Sequence, residues 1–272
     1  MDGQPTLLRL DGVGKRFGGL PVLSGLDVAV GEGNIHSLIG PNGAGKTTVF
    51  NCIMSLLPID TGRILLGETR IDGLRPHLVA RHGVARTYQN IRLFPDMTIM
   101  ENVLVGMHRL LGQTILAGML SLPGYRREEA RWRDEARQLL SFIGLGGDPD
   151  RPVRGLSYGD QRRVEIARAL ASKPRLLLLD EPAAGMNPAE GAQLVDLIRR
   201  IRDRYRVTVM LVEHHMRIVM SISDIVTVLD RGRVLASDVP DSIRNDSKVI
   251  DAYLGRAASK LVEENHERRV EA

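Results

Sequence analysis

The run GPNGAGKTT, Gly40 to Thr48, has the spacing G-x-x-x-x-G-K-[ST]. It follows an apolar stretch, IHSLI, and opens a helical pattern. Glycines at these positions let the backbone curl until successive N–H groups point into one concavity, and the positive end of a helix dipole adds to it. Such a nest suits polyphosphate. Gly40, Pro41, Asn42, Gly43, Ala44, Gly45, Lys46, Thr47 and Thr48 are therefore candidate phosphate-binding residues. The Lys46 ammonium can reach the β- and γ-phosphates, and the Thr47 hydroxyl can ligate Mg²⁺. The plain alternative is a glycine turn that caps a helix.

Further groups stand where they can complete phosphate chemistry. LLLLDEP, residues 176–182, places Asp180 and Glu181 at the end of an apolar run. Asp180 can hold a metal ion, and Glu181 can act as general base on a water attacking the γ-phosphate. Two solvated carboxylates before a proline turn are the alternative. His214 follows another apolar run, and its imidazole can hydrogen-bond the γ-phosphate or the attacking water; a purely structural histidine is the competing reading. The Gln89 amide can touch Mg²⁺ or water, or simply sit on the surface. Phe17 can stack on an adenine or belong to the core. LSYGDQ, residues 156–161, makes Ser157 an N-cap with Asp160 reaching back to close a capping box. A Ser-x-Gly at a helix start, here Ser157 and Gly159, also offers an anion site.

The elements that must position these groups follow from pattern. LLRLDGV, LSGLDVAV and IHSLIG read as strands separated by glycine turns. Residues 46–57 read as a helix stopping at Pro58, GRILLG and TRIDG as short strands, residues 75–83 as a helix, and VARTYQN as strand. From 91 to 165 the character turns helical, including a charged helix with an apolar stripe at Ala136, Leu139, Leu140 and Ile143. RLLLLD and VTVMLVE are continuous apolar runs, as in strands buried on both faces, with a helix over 189–204 between them: a βαβ rhythm. DIVTVLDRGRVLASD reads as a hairpin turning at Arg231-Gly232. Strands ending at Ile39, Leu179 and Val212 are expected to deliver their chemistry to one edge of one sheet.

Composition bounds the answer. The chain has 272 residues, 43% hydrophobic and 26% charged, an ordinary globular mix. At 4%, scarce aromatics argue weakly against a platform that stacks single-stranded bases, and a net charge of +4 makes no demand for nucleic acid. The single cysteine, Cys52, excludes an internal disulfide. No secretory signal is read at the start, and no apolar run reaches the ~20 residues of a spanning helix; the nearest is Ile115 to Leu122.

In order and wording these motifs resemble the nucleotide-binding domain of ATP-binding-cassette (ABC) transporters, from about residue 7 to 254. Gly40–Thr48 looks like the Walker A loop, Asp180-Glu181 like the Walker B aspartate and catalytic glutamate, Gln89 like the Q-loop, His214 like the switch histidine, and Phe17 like the A-loop aromatic. LSYGDQ looks like the signature motif. ARTYQNIRLFPDMTIMENVLVGMH, LSYGDQRRVEIARAL, DEPAAGMNPAE and VIDAYLG resemble more narrowly the ATP-binding subunits of branched-chain amino acid importers; importers of urea and short amides share much of this wording. Asp160 departs from the usual signature Gln, Asn187 from the aspartate of many cassettes, and His215 from the Asp common after the switch histidine.

The resemblance implies an α/β fold: a P-loop ATPase core with a mostly parallel sheet and an antiparallel β subdomain over 1–90 and 166–255, a helical subdomain over 91–165, and a charged tail over 256–272. It implies a Mg²⁺-dependent ATPase that binds ATP. Ser157 and Gly159 would meet the ATP held by a second cassette in a head-to-tail pair. It also implies transmembrane permease subunits, a solute-binding protein acting indirectly, no nucleic acid, and a cytoplasmic place on the inner face of the cell membrane. A non-transport ATPase of this family would usually carry a coiled-coil insert or tandem cassettes, and the sequence has neither. A nucleotide-gated adaptor without hydrolysis is favoured only by Asp160.

Overall fold

A computed structural model describes residues 5–108 and 123–253. The segment Ile115 to Leu122 and the tail 256–272 lie outside the described residues. The chain forms two compact units, one from residues 1–75 and 210–272, the other from 76–209. The boundaries expected at 90/91 and 165/166 both fall inside the second unit.

In the first unit, β1 (Thr6–Phe17), β2 (Leu20–Gly31), β4 (Thr61–Leu66) and β5 (Thr69–Arg70) form an antiparallel sheet in the order β2-β1-β4-β5. Its strands alternate. On β2, Leu26, Val28 and Val30 are buried while Asp27 and Ala29 are exposed, as a sheet with one covered face requires. β3 (Ile35–Ile39) is buried at every position. It runs parallel to β9 (Ile225–Asp230), which pairs antiparallel with β10 (Arg233–Asp238). Arg231 and Gly232 both have positive φ, 46° and 76°, the two-residue turn that the right-handed twist of a hairpin favours. The expected hairpin is thus present.

Helix α1 (Lys46–Ile53) follows β3 and is shorter than the 46–57 expected. Ser55 takes the left-handed conformation (φ 52°), its N–H bonds the Cys52 carbonyl, and the Leu56 N–H bonds the Asn51 carbonyl. This is the hydrogen-bond pattern of a helix stop usually built on glycine. It ends the helix before Pro58 is reached.

The second unit holds α2 (Pro76–Arg81), β6 (Val84–Arg86), α3 (Ile99–Met107), α4 (Pro123–Phe142), α5 (Tyr158–Ala171), β7 (Leu176–Asp180) and α6 (Pro188–Tyr205). β6 and β7 are parallel, Val84 opposite Leu176. The unit boundary falls inside β8 (Thr208–Val212). The apolar stripe of α4 and the Val164, Ala167 and Leu170 face of α5 are buried, as their spacing predicts. The strand expected over VARTYQN stops at Arg86. One further rung joins the Thr87 N–H to the Leu178 carbonyl, and then side chains of α5 capture the backbone.

Back in the first unit, α7 (Met216–Ile222), α8 (Pro240–Asn245) and a helical stretch over 247–253 close the chain. Val219, Ile243 and Val249 share a buried cluster with Ile39, Val226 and Val228, and Tyr253 packs against it.

Candidate functional site

In the first unit the loop Gly40–Gly45 joins the buried end of β3 to α1. Gly40 sits at φ 149°, and a Cβ there would stand 2.2 Å from the Leu229 carbonyl oxygen, so only glycine fits between loop and β9. Gly45 is the N-cap of α1 at φ 103° and offers no side-chain cap to the helix start. Lys46 is buried and folds back on the loop, its Nζ donating to the Gly40 (2.7 Å) and Pro41 (3.1 Å) carbonyls. Thr47 is exposed. The loop is braced from late in the chain: the Gly232 N–H donates to the Ala44 carbonyl (3.1 Å), and Tyr253 meets the Gly40 backbone. A helix N-terminus with no side-chain cap, a lysine and a hydroxyl fit a polyphosphate with a hard cation.

Below the loop, β3 carries a polar core. His36 is 1% exposed; its Nε2 meets Thr227 Oγ1 at 2.8 Å and its Nδ1 has no hydrogen-bond partner. Burial pushes its pKa down from 6.5 to about 4.

Phe17 closes β1 and is 46% exposed, with Lys15 Nζ 5.6 Å from its ring centroid. It is not a core residue, and its ring is open to a stacking partner. His214 follows β8 and is exposed. Its ring lies 4.2 Å from that of His215, whose Nδ1 is 3.3 Å from the buried Glu213 carboxylate.

In the second unit, β7 ends in Asp180, buried, with Glu181 next. Asp180 Oδ2 accepts from Arg86 at 2.7 Å, a pair almost wholly shielded from water. A carboxylate has about four lone-pair sites, so acceptor capacity remains for a metal or its water. Glu181 has φ 46°, a conformation L-residues seldom take, and such strain gathers at functional positions. The Gln89 Nε2 donates to Glu181 Oε2 at 2.8 Å. The two residues singled out separately in the sequence thus meet.

The backbone around Gln89 is held by side chains that pattern reading did not single out. Arg162, fully buried on α5, donates to the carbonyls of Tyr88 (2.5 Å) and Gln89 (2.7 Å), to Glu165 (2.7 Å) and to the Tyr158 hydroxyl (3.0 Å). Glu165 in turn accepts from the N–H groups of Tyr88 and Arg92. The Tyr88 ring meets the guanidinium groups of Arg86 and Arg92, 5.0 and 4.4 Å from its centroid. No motif flags Arg86 or Arg162. For Arg162 the signal was charge, shared with Glu165, on a helix face otherwise apolar.

Ser157 is exposed and caps α5, its Oγ accepting from the Asp160 N–H at 3.2 Å; Gly159 is partly exposed, with open space where a Cβ would stand. The expected capping box is only half formed. The Asp160 carboxylate lies 3.6 Å from Arg163 and makes no return bond to Ser157. Complete boxes form at Thr98/Glu101 and Asn187/Glu190, where the reaching residue is one methylene longer. Asn187 is thereby a helix cap.

Comparison with known proteins follows the same lines. A family model for the ABC transporter matches residues 23–184, and one for the branched-chain amino acid ATP-binding cassette transporter matches 233–259. The high-affinity branched-chain amino acid transport ATP-binding protein BraF of Pseudomonas aeruginosa is 47% identical over 251 residues, covering 92% of this chain and 98% of its own. The corresponding protein LivG of Escherichia coli (strain K12) is 45% identical with the same coverage. Among solved structures, the ADP conformation of MJ1267, an ATP-binding cassette of an ABC transporter, is similar with a TM-score of 0.80 at 30% identity, over 92% of this chain and 99% of that one.

Proposed function

Because the chain belongs to the ABC transporter ATP-binding family, we propose that it is the ATP-hydrolysing subunit of an importer of branched-chain amino acids. The observation that carries this reading is that likeness runs along nearly the whole chain. It includes the C-terminal stretch matched by the branched-chain model, beyond the part common to ABC transporters.

The side chains are assigned roles by their chemistry. The loop N–H groups of Gly40 to Thr48 and the Lys46 ammonium hold phosphate oxygens and offset their charge. Phe17 stacks on the base. Thr47, Gln89 and Asp180 carry hydroxyl, amide and carboxylate oxygens, the donors Mg²⁺ takes, and a bound Mg²⁺ would supply charge neutralisation at the phosphates. Glu181 accepts the proton of the attacking water, with Gln89 orienting it and His214 hydrogen-bonding at the γ-phosphate. Ser157 and Gly159 bind the ATP of a neighbouring cassette, so one chain supplies part of each of two sites.

No described helix is long and apolar enough to cross a membrane, and the importer reading gives the membrane passage to separate permease chains. A second cassette, a solute-binding protein acting through the permease, and a place on the inner face of the cell membrane complete the assignment. The test is reconstitution of the chain with permease chains and a solute-binding protein of a branched-chain amino acid importer. ATP hydrolysis and uptake of labelled leucine, isoleucine or valine should rise together. Uptake of urea or short amides instead would move the substrate, and no association with membrane chains would end the transport reading.

A further inference from the structure

Arg162 and Glu165 form a buried ion pair one turn apart on α5, with side chains 0% and 1% exposed. Neither completes a helix cap or contacts the hydrolytic carboxylates, yet a buried charge pair is retained at a cost unless its remaining donors and acceptors are used. Here the terminal guanidinium nitrogens and the carboxylate serve chiefly one stretch of backbone, while the Arg162 Nε–H has no partner among the described residues. Arg162 holds the carbonyls of Tyr88 and Gln89, and Glu165 holds the N–H groups of Tyr88 and Arg92. Four main-chain groups of a segment that has left its strand are thus satisfied by two side chains. The planar guanidinium fork suits this, since it spans two carbonyls at once.

The captured segment carries Gln89, whose amide meets Glu181. Arg162 also donates to the hydroxyl of Tyr158, an exposed side chain between Ser157 and Gly159. One guanidinium therefore touches both the signature turn and the backbone that aims Gln89.

We propose that Arg162 and Glu165 are positioning residues for Gln89: they fix the 88–92 backbone so that the Gln89 amide is presented to Glu181, and they tie that presentation to the turn at Tyr158. The catalytic consequence rests on the ATPase reading above; the positional claim does not. A contact on Tyr158 or its neighbours is felt at Arg162, and through it at Gln89, without movement of the whole helix.

The test has two arms on the full-length protein. Hydrogen exchange of the peptide covering 88–92 should be slow in the wild type and at least ~10-fold faster in Glu165→Gln and Arg162→Lys, with α3 and β7 unchanged. Unchanged exchange at 88–92, or an equal rise throughout the unit, overturns the proposal. In the transporter complex, Arg162→Lys should lower kcat about 10-fold with the KM for ATP within about two-fold. In a Gln89→Ala background it should have almost no further effect. A role in stability alone would lower activity by the same factor in both backgrounds, and that additive result overturns the proposal. A wild-type complex that hydrolyses no ATP refutes the ATPase reading, and exchange at 88–92 still decides the positional claim.

Discussion

Glu181 combines two properties that pull against each other. Its carboxylate is assigned the general base, and its backbone sits at φ 46°. Glu181→Gln should lower hydrolysis by ~10²–10⁴ while leaving ATP binding, read by fluorescent-nucleotide titration, in place. Glu181→Gly should be inactive too, yet more stable to urea than Glu181→Ala by about 1 kcal/mol, because glycine takes the left-handed region freely. Equal stability of the two would remove the strain argument. His36 gives a pH signature of its own. Folded, it binds a proton only near pH 4; unfolded, near its ordinary 6.5. Above 6.5 both states are neutral. As pH falls from 6.5 towards 4 the unfolded chain takes up a proton that the folded chain refuses, and stability drops by roughly 3 kcal/mol before levelling off. Urea unfolding at pH 7 and 4.5 should show that loss in the wild type and a smaller one in His36→Gln.

Among the elements, α5 starts on a single side-chain cap bond, from the Asp160 N–H to Ser157 Oγ. Asp160→Glu should complete the box on Ser157 and raise unfolding stability by about 0.5 kcal/mol, measured by denaturant midpoint; an unchanged midpoint would mean that the tie to Arg163 governs that turn. Close packing sets a second limit. A Cβ on Gly106 of α3 would stand 2.0 Å from the Arg168 carbonyl of α5, so Gly106→Ala should cost roughly 1–3 kcal/mol despite alanine's better helix propensity. Element type and place were largely legible, because burial alternates in β2 and runs unbroken in β3 and β7 as the residues themselves alternate or do not. Element ends were less so. Ser55 stops α1 in a role sequence rules give to glycine, and the segment after β6 is held by Arg162 and Glu165, more than 70 residues further along the chain. The Gln89–Glu181 contact was invisible for the same reason: each residue was readable, but the bond between them depends on a fold of the intervening chain.

At the level of the whole molecule, the phosphate loop is an early segment supported by late ones. Leu229, Gly232 and Tyr253 all bear on Gly40 to Ala44, and Ile243 and Val249 complete the apolar cluster beneath Ile39. Removing everything after Asp238 should therefore loosen the loop as well as the C-terminus. The expected readouts are weaker nucleotide binding and a lower thermal midpoint, and Ile243→Ala alone should cost about 2–4 kcal/mol. Normal nucleotide affinity in the truncated chain would contradict this. The long reach also has a consequence for synthesis. The Ile35 N–H finds its acceptor, Asp224, 189 residues later. At about 5–20 residues per second a ribosome needs on the order of 10–40 s to cover that gap. During that interval the nascent β3, an apolar strand whose parallel partner β9 is still untranslated, waits unpaired, which makes it a stretch where chaperones have reason to bind.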